Sequence, residues 1–287
     1  MISGFQFLVA PLMASLLLLV ITSYFGIHVL KREIIFIDIA LAQVAALGGI
    51  VTIFFDQAFN IHGISFLNIP LHDILPYLLS LIYCLIAALI FTFLKNPKIT
   101  VPIEAFIGIA YAFATTAAVI ILDKSAGGDV HIHDLLTGTI LWTSWPQVLR
   151  LGIIVLIIGS FHYIFKNRFI QLTDTYAGRN HSIRYYKLWD FLFYFTFGIV
   201  IIEAIRIGGI LTVFAFLILP ASFSALFSAR WDHRIFFGLC SGIIATVIGL
   251  SLSWTFDITS SPLIILFLGL LLTLGIIFKR LLKLQKA

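Results

Sequence analysis

The chain has 287 residues, of which 61% are hydrophobic and only 11% charged, with a mean hydropathy of +1.11. A soluble domain needs roughly 25% charged residues to cover its surface, so a water-soluble fold is excluded and an integral membrane protein is expected. The net charge of +5 and pI of about 9.2 then read as membrane-topology signals and not as a nucleic-acid footprint. No short alternating strands of the kind a transmembrane barrel requires are visible, which leaves an all-α polytopic bundle of about eight to nine spans.

In chain order, the start MISGFQF lacks a basic leader and runs into an apolar stretch over 7–30, long enough to span, so no cleavable signal peptide is expected. Lys31 and Arg32 stop it. A second apolar run over 34–55 carries Asp38 and Gln43. After a loop without Lys or Arg, Asp73 is a candidate cap for a third span over 74–94, closed by Lys95 and Lys98. Pro102 suits the start of a fourth span over 103–122, on which Ala110, Ala114 and Ala118 form a close-packing ladder. The next loop holds His131 and His133, and its short apolar piece over 135–142 is too brief to cross, so it reads as re-entrant. Ser144 and Pro146 open a fifth span ending near Phe165. The most polar stretch, 166–187, follows, and then a sixth helix over 188–202. A turn over 203–209 leads into a proline-bearing span, after which come an eighth span over 235–254 and a ninth over 262–278. Cys84 and Cys240 sit in apolar runs and read as small buried hydrophobes.

Placing the C-terminus inside and alternating back through nine spans puts 15 of the 18 Lys and Arg on the inner side: Lys31, Arg32, Lys95, Lys98, Lys166, Arg168, Arg179, Arg184, Lys187, Arg230, Arg234, Lys279, Arg280, Lys283 and Lys286. This predicts a multi-pass plasma (inner) membrane protein with cytoplasmic basic loops. One transmembrane domain is expected over 1–287, with no separate soluble domain.

The stretch 203–228 organises the rest. Glu203 and Arg206, three residues apart, can pair on one helical face, and the pair serves either to hold a turn or to gate an outer mouth. Gly208 and Gly209 follow, and then an uncharged run containing Pro220. The proline removes a backbone hydrogen bond, so this helix belongs inside a bundle, as a packing element or as the wall of a pathway. Ala221, Ala225 and Ala229 repeat at a spacing that lets helices approach closely.

Other polar candidates have two readings each. Asp38 is either an interfacial residue favoured by a helix N-terminus or a lining residue of a polar route, with Gln43 as a neutral oxygen donor nearby. His131 and His133 are solvated loop residues or a weak outer metal funnel. The 166–187 stretch is a solvated basic loop or a docking surface. No Gly precedes a Lys anywhere, so the phosphate loop GxxxxGK[ST] is missing; the chain is not expected to be an enzyme, and ATP hydrolysis would fall to a partner.

Five segments, in order, carry a resemblance. They are Gly26 to Arg32 followed by Asp38 to Gln43 and Leu47-Gly48; Glu104 to Ile109; Leu136 to Leu141; Asp174 to Gly178; and Gly208-Gly209 through Pro220-Ala221 to the small residues beyond. Together they resemble the membrane permeases of ATP-binding-cassette importers for zinc, manganese or iron, as a divergent branch. Relatives often carry His four residues after the Asp of the second helix, where this chain has Ala42 and then Gln43. The resemblance implies a subunit that passes divalent metal ions into the cytoplasm and holds no permanent cofactor. Its implied partners are a second copy of itself, cytoplasmic ATPase subunits and an extracytoplasmic metal-binding protein. It also implies ATPase docking at Asp174, Ala177 and Gly178, and a pathway or gating helix bearing Glu203, Arg206, Gly208, Gly209 and Pro220. A secondary transporter driven by an ion gradient and a non-transporting scaffold are the alternatives; the first fits less well because Pro220 has no counterpart in the first half of the chain.

Overall fold

The computed structural model describes residues 4–59, 65–66, 69–94, 101–123, 140–176 and 185–284. Among these the chain is helical almost throughout. The helices are α1 (Gly4–Arg32), α2 (Ile37–Phe59), α3 (Leu71–Leu94), α4 (Ile103–Asp123), α5 (Trp145–Ile164), α6 (Lys166–Tyr176), α7 (Tyr186–Phe227), α8 (Trp231–Phe256) and α9 (Ser260–Leu284). A two-residue antiparallel pairing, Ser65–Phe66 with Ile69–Pro70, precedes α3, and one 3₁₀ turn, Ile140–Trp142, precedes α5. Seven helices are long and apolar enough to cross a membrane, and α2 contributes a shorter apolar stretch, Ile37–Thr52. The protein is an all-α polytopic membrane protein.

Several boundaries differ from the sequence reading. Helix α3 begins at Leu71, directly after the strand pairing, so Asp73 lies inside the helix and not at its cap. The expected turn over 203–209 is helical up to Gly208, and the interruption is one residue, Gly209, at φ 72° and ψ 163°. Only glycine tolerates that backbone region. Without a break, the 42 residues of α7 would run about 63 Å, twice the hydrocarbon thickness of a bilayer. The break leaves two pieces, 186–208 and 210–227, each of about span length. Most of the expected re-entrant piece lies outside the described residues; its end is the 3₁₀ turn, with Ile140 buried. The start of α5 follows the sequence logic closely. Ser144 donates to Gln147 Oε1 from its backbone N at 2.8 Å and from its hydroxyl at 2.9 Å, and Pro146 sits in the first turn where its missing N–H costs nothing.

Packing divides the chain into two compact units. The first comprises Met1–Glu33, Asp134–Lys166 and Glu203–Ala287, and so contains α1, α5, the second piece of α7, α8 and α9. Lipid offers no hydrophobic drive between helices, so association depends on close contact across small residues. Here the glycines supply it. A Cβ added at Gly26 of α1 would lie 1.9 Å from the Leu217 carbonyl oxygen of α7. One at Gly238 of α8 would lie 3.2 Å from the Pro220 carbonyl oxygen, one at Gly242 would run into Leu19, and one at Gly249 into Ile264. The proline helix is thus held between α1 and α8 at the level of its kink. Of the alanine ladder on this helix, Ala221 is buried while Ala225 and Ala229 are exposed, so only the first rung is used in packing within the chain.

The first unit also carries aromatic residues at two levels. Phe7 meets Trp142 and Trp254 at one end, at 5.5 and 5.1 Å between ring centres. At the other end the Lys31 ammonium lies 4.0 Å from the Trp231 ring centre, and that of Lys166 lies 4.8 Å from the Tyr163 ring. Along α1 the two levels are separated by about 36 Å, at 1.5 Å per residue from Phe7 to Lys31. That is the separation of two membrane–water interfaces, where amphipathic rings concentrate.

The second unit comprises Ile34–His133 and Asn167–Ile202: α2, α3, α4, α6 and α7 as far as Ile202. Helix α2 is its centre, packed on both α3 and α4. Gly48 lies against the Leu79 carbonyl, and Ser80 Oγ donates to the Ala45 carbonyl at 2.7 Å. Gly198 of α7 accommodates the buried Cys84 thiol of α3. On α4, Ala114 and Ala118 are buried as the ladder predicts.

Three substitutions test this account. Gly26→Val forces α1 away from Leu217 and lowers the thermal midpoint of the detergent-purified protein, a cost of about 1–3 kcal/mol. Gly108→Ala, at a position with nothing within 4 Å, leaves the midpoint unchanged or raises it. Gly209→Ala introduces a Cβ at a glycine-only backbone angle and costs about 1–3 kcal/mol in the same thermal assay.

Candidate functional site

The first unit places one carboxylate deep in its helices. Glu203, 1% exposed, is in the last turns of α7 before the Gly209 break. Its Oε1 lies 3.7 Å from Nε of Arg150 on α5, whose side chain is 60% exposed. That distance gives charge attraction without a hydrogen bond. Among the described residues Oε1 accepts no hydrogen bond, so the carboxylate retains capacity for a further donor or a cation. Arg206, three residues on, is exposed. The sequence reading of a Glu203–Arg206 pair did not anticipate Arg150, which comes from a different helix and to which no local spacing points.

The break itself is supported by polar contact. Ser261 of α9 donates its hydroxyl toward the Gly208 carbonyl at 3.5 Å, and Gly208 packs beside Ile140 and Leu18. Thr212, in the next turn, is fully buried, and its hydroxyl has no hydrogen-bond partner among the described residues. Below it, Pro220 removes the donor that would have served the Phe216 carbonyl. The break at Gly208 and Gly209 therefore lies within two turns of a buried carboxylate, and Pro220 frees a further backbone oxygen farther along the helix.

The second unit places another carboxylate. Asp38 is in the first turn of α2 and 2% exposed. The helix N-terminus favours its negative charge, yet its Oδ1 accepts no hydrogen bond among the described residues. Gln43 is half-buried on the same helix. At about 100° per residue the two side chains leave the helix about 140° apart, so they do not share a face. Ala42, four residues after Asp38, does share its face, and it is buried.

Helix α6 occupies the front of the polar stretch 166–187. It is amphipathic, burying Phe169, Leu172 and Thr173 and exposing Arg168, Gln171 and Thr175. Phe169 meets Trp189 edge-on at 5.6 Å, and the Tyr176 hydroxyl donates to Asp190 Oδ2 at 2.5 Å, which ties the end of α6 to the start of α7. Asp174 lies on this helix, partly exposed. Ala177 and Gly178 lie outside the described residues, as do His131 and His133. Asp190 was not singled out in the sequence; a lone acid in the apolar run opening α7 was its only signal.

A further polar cluster was also missed. The Tyr24 hydroxyl and His162 Nδ1 are 3.1 Å apart, and the His28 ring lies 4.8 Å from that of Tyr24 and 4.6 Å from that of Trp231. The Tyr24–His28 spacing of four residues was the available signal. Among the described residues, no three His, Cys, Asp or Glu side chains are grouped closely enough to hold a metal ion.

Comparison with known proteins gives this geometry a context. Among solved structures, the fold is similar to that of PsaBC from Streptococcus pneumoniae in complex with Fab, with a TM-score of 0.78, 18% identity, and coverage of 99% of this chain and 97% of that one. In sequence, the chain is 26% identical over 180 residues to a "Probable metal transport system membrane protein" of Chlamydia trachomatis, covering 62% of this chain and 60% of the relative. It is 25% identical over 183 residues to the "Manganese transport system membrane protein MntB" of Synechocystis, covering 61% of this chain and 56% of that protein. The chain thus matches about 60% of the length of these curated relatives. The family model described as "ABC 3 transport family" matches residues 4–279. With nearly its whole length inside that match, the chain belongs to the ABC 3 transport family.

Proposed function

We propose that this chain is the membrane-spanning permease of an ATP-binding-cassette importer for divalent first-row metal ions, manganese foremost, with zinc and iron as the other cargoes of the same chemistry. The observation that carries this reading is the family match over residues 4–279 on a bundle of span-length helices. Manganese is favoured because several relatives are named for it, and because carboxylate and backbone oxygens suit it better than they suit softer metals. Asp38 and Glu203 are the residues assigned to the route: each is a carboxylate placed where burial is expensive, and each keeps an oxygen without a hydrogen bond among the described residues. Arg150 is assigned the role of a movable counter-charge that a passing dication displaces from Glu203. Gly209 and Pro220 are assigned as the flexible points of the gating helix, with Arg206 at its outer end and Gly208 as a carbonyl donor. Gln43 and the outer-loop residues His131 and His133 are auxiliary donors in this scheme.

The energy source in this reading is a cytoplasmic ATPase docked on α6 and the residues after it, Asp174, Ala177 and Gly178. A helix that buries one face on α7 and presents the other is a rigid lever for such contact. A second copy of the chain would complete the pathway about a two-fold axis. A metal-binding protein would deliver cargo on the far side. The basic ends of the helices face the cytoplasm of a plasma membrane in this scheme.

Reconstitution tests the reading. Uptake of radiolabelled manganese into proteoliposomes is expected to require both the partner ATPase and ATP. Asp38→Asn and Glu203→Gln each lower it about tenfold, worth about 1.4 kcal/mol, while ATPase binding is retained. Uptake driven by an ion gradient alone would favour a secondary transporter instead. Docking is tested separately: Asp174→Ala on α6 is expected to weaken co-purification of the ATPase about tenfold without changing the thermal midpoint, and an unchanged affinity would remove α6 from the interface.

A further inference from the structure

The C-terminal end of α7 carries a feature that neither the transport reading nor the family assigns. A cavity of about 390 Å³ opens there, lined by residues 225–229 of the α7 end and by two cations, Arg234 of α8 and Lys279 of α9. Arg234 is 5% exposed, an unusual position for a guanidinium in a membrane protein. Its Nη2 donates to the Ala221 carbonyl at 3.3 Å, while its Nε–H has no acceptor among the described residues. Lys279 donates from Nζ to the Leu226 carbonyl and keeps two further N–H donors. Two fixed positive charges thus converge on one open pocket with donor capacity left over. The partial negative charge of a helix C-terminus, about half a unit, offsets only part of this.

The walls of the pocket indicate the kind of anion. On one side the rings of Phe223, Phe227, Phe237 and Phe236 run in continuous contact at 5.0, 5.7 and 5.8 Å. Phe227, Phe236 and Phe278 are exposed by 38%, 63% and 55%. Phe227 lines the pocket itself, and through it the cationic pocket adjoins this exposed aromatic surface at the end of the helices. A ligand matching both halves has a phosphate diester head and hydrocarbon tails. We propose that Arg234 and Lys279 form a binding site for the headgroup of an anionic membrane phospholipid, whose acyl chains lie along the phenylalanine surface. Occupancy fixes α8 and α9 against the end of the proline helix. The site is independent of which ion the protein carries.

The test uses the full chain purified in mild detergent and exposed to equal amounts of phosphatidylglycerol and phosphatidylcholine, with bound lipid counted by native mass spectrometry. One phosphatidylglycerol per chain is expected to persist, preferred over phosphatidylcholine by about tenfold or more, since each cation near an anionic headgroup contributes about a fivefold gain. Lys279→Gln, at a half-buried side chain, reduces the preference about fivefold, Lys279→Arg preserves it, and Arg234→Gln combined with Lys279→Gln abolishes it. Elution as a single symmetric species shows that a variant has folded, and the Lys279 pair decides the matter if the double variant has not. Equal retention of the two lipids, or an unchanged preference in Lys279→Gln, overturns the proposal. Displacement of the lipid by excess inorganic phosphate also overturns it, by identifying a site for the free anion.

Discussion

A backbone carbonyl that loses its helical partner inside a bilayer has no water to turn to, and each such group costs several kcal/mol unless the protein answers it. The second piece of α7 gathers three sources of these carbonyls within twenty residues: the Gly209 break, the Pro220 kink and the helix end at Phe227. Neighbouring helices bring donors to this stretch at three points. Ser261 reaches the Gly208 carbonyl, Arg234 reaches that of Ala221, and Lys279 reaches that of Leu226. Ser224 adds a local bond to Ala221 at 2.7 Å. The approach of a lysine from another helix thus serves a helix end in lipid, and the buried arginine adds a donor one residue beyond the proline. An irregular helix is in turn what a pathway needs, because a regular one presents no free backbone oxygen to a passing ion.

Close packing imposes the complementary constraint. The polar groups can answer these carbonyls only if the helices approach within side-chain reach, and the glycines make that possible. Gly238 brings α8 against the Pro220 carbonyl one turn beyond Arg234, and Gly26 brings α1 against Leu217 on the same helix. Larger residues there would move the helices apart and leave both the kink and its guanidinium without partners. The small residues of this family segment therefore act at a distance, by setting where the donors of the next helix fall.

Much of this was legible in the sequence, for identifiable reasons. Apolar runs of span length announce themselves through composition, and Ser144 with Pro146 announces a helix start through local spacing. Pro220 marks its own kink. What depends on one helix meeting another left little trace. Glu203 has Arg206 three residues away, so a sequence reading pairs them, while Arg150 approaches Glu203 from a separate span. The single-residue break at Gly209 was read as a seven-residue turn because a polar pair beside two glycines resembles a loop. In fact the polar residues are helical, and the turn chemistry belongs to one glycine with a positive φ. Asp190 and the Tyr24–His162 contact were hidden for the same reason, as single polar residues in apolar runs whose partners lie in other helices.

The two buried carboxylates solve one electrostatic problem in different ways, and the difference bears on what each can do. Asp38 has the N-terminus of α2 behind it, a fixed partial positive charge that cannot move away. Glu203 has Arg150, a full charge on a flexible and largely exposed side chain, at a distance too long for a hydrogen bond. A dipole built into the backbone offsets part of the cost of burying a carboxylate and stays in place. A mobile guanidinium can withdraw when a stronger cation arrives and return when it leaves. The first arrangement keeps its counter-charge in place, and the second lets its counter-charge leave and return. That difference, a fixed partial charge beside Asp38 and a movable full charge beside Glu203 close to the Gly209 break, is the physical basis of the separate roles we propose for the two carboxylates.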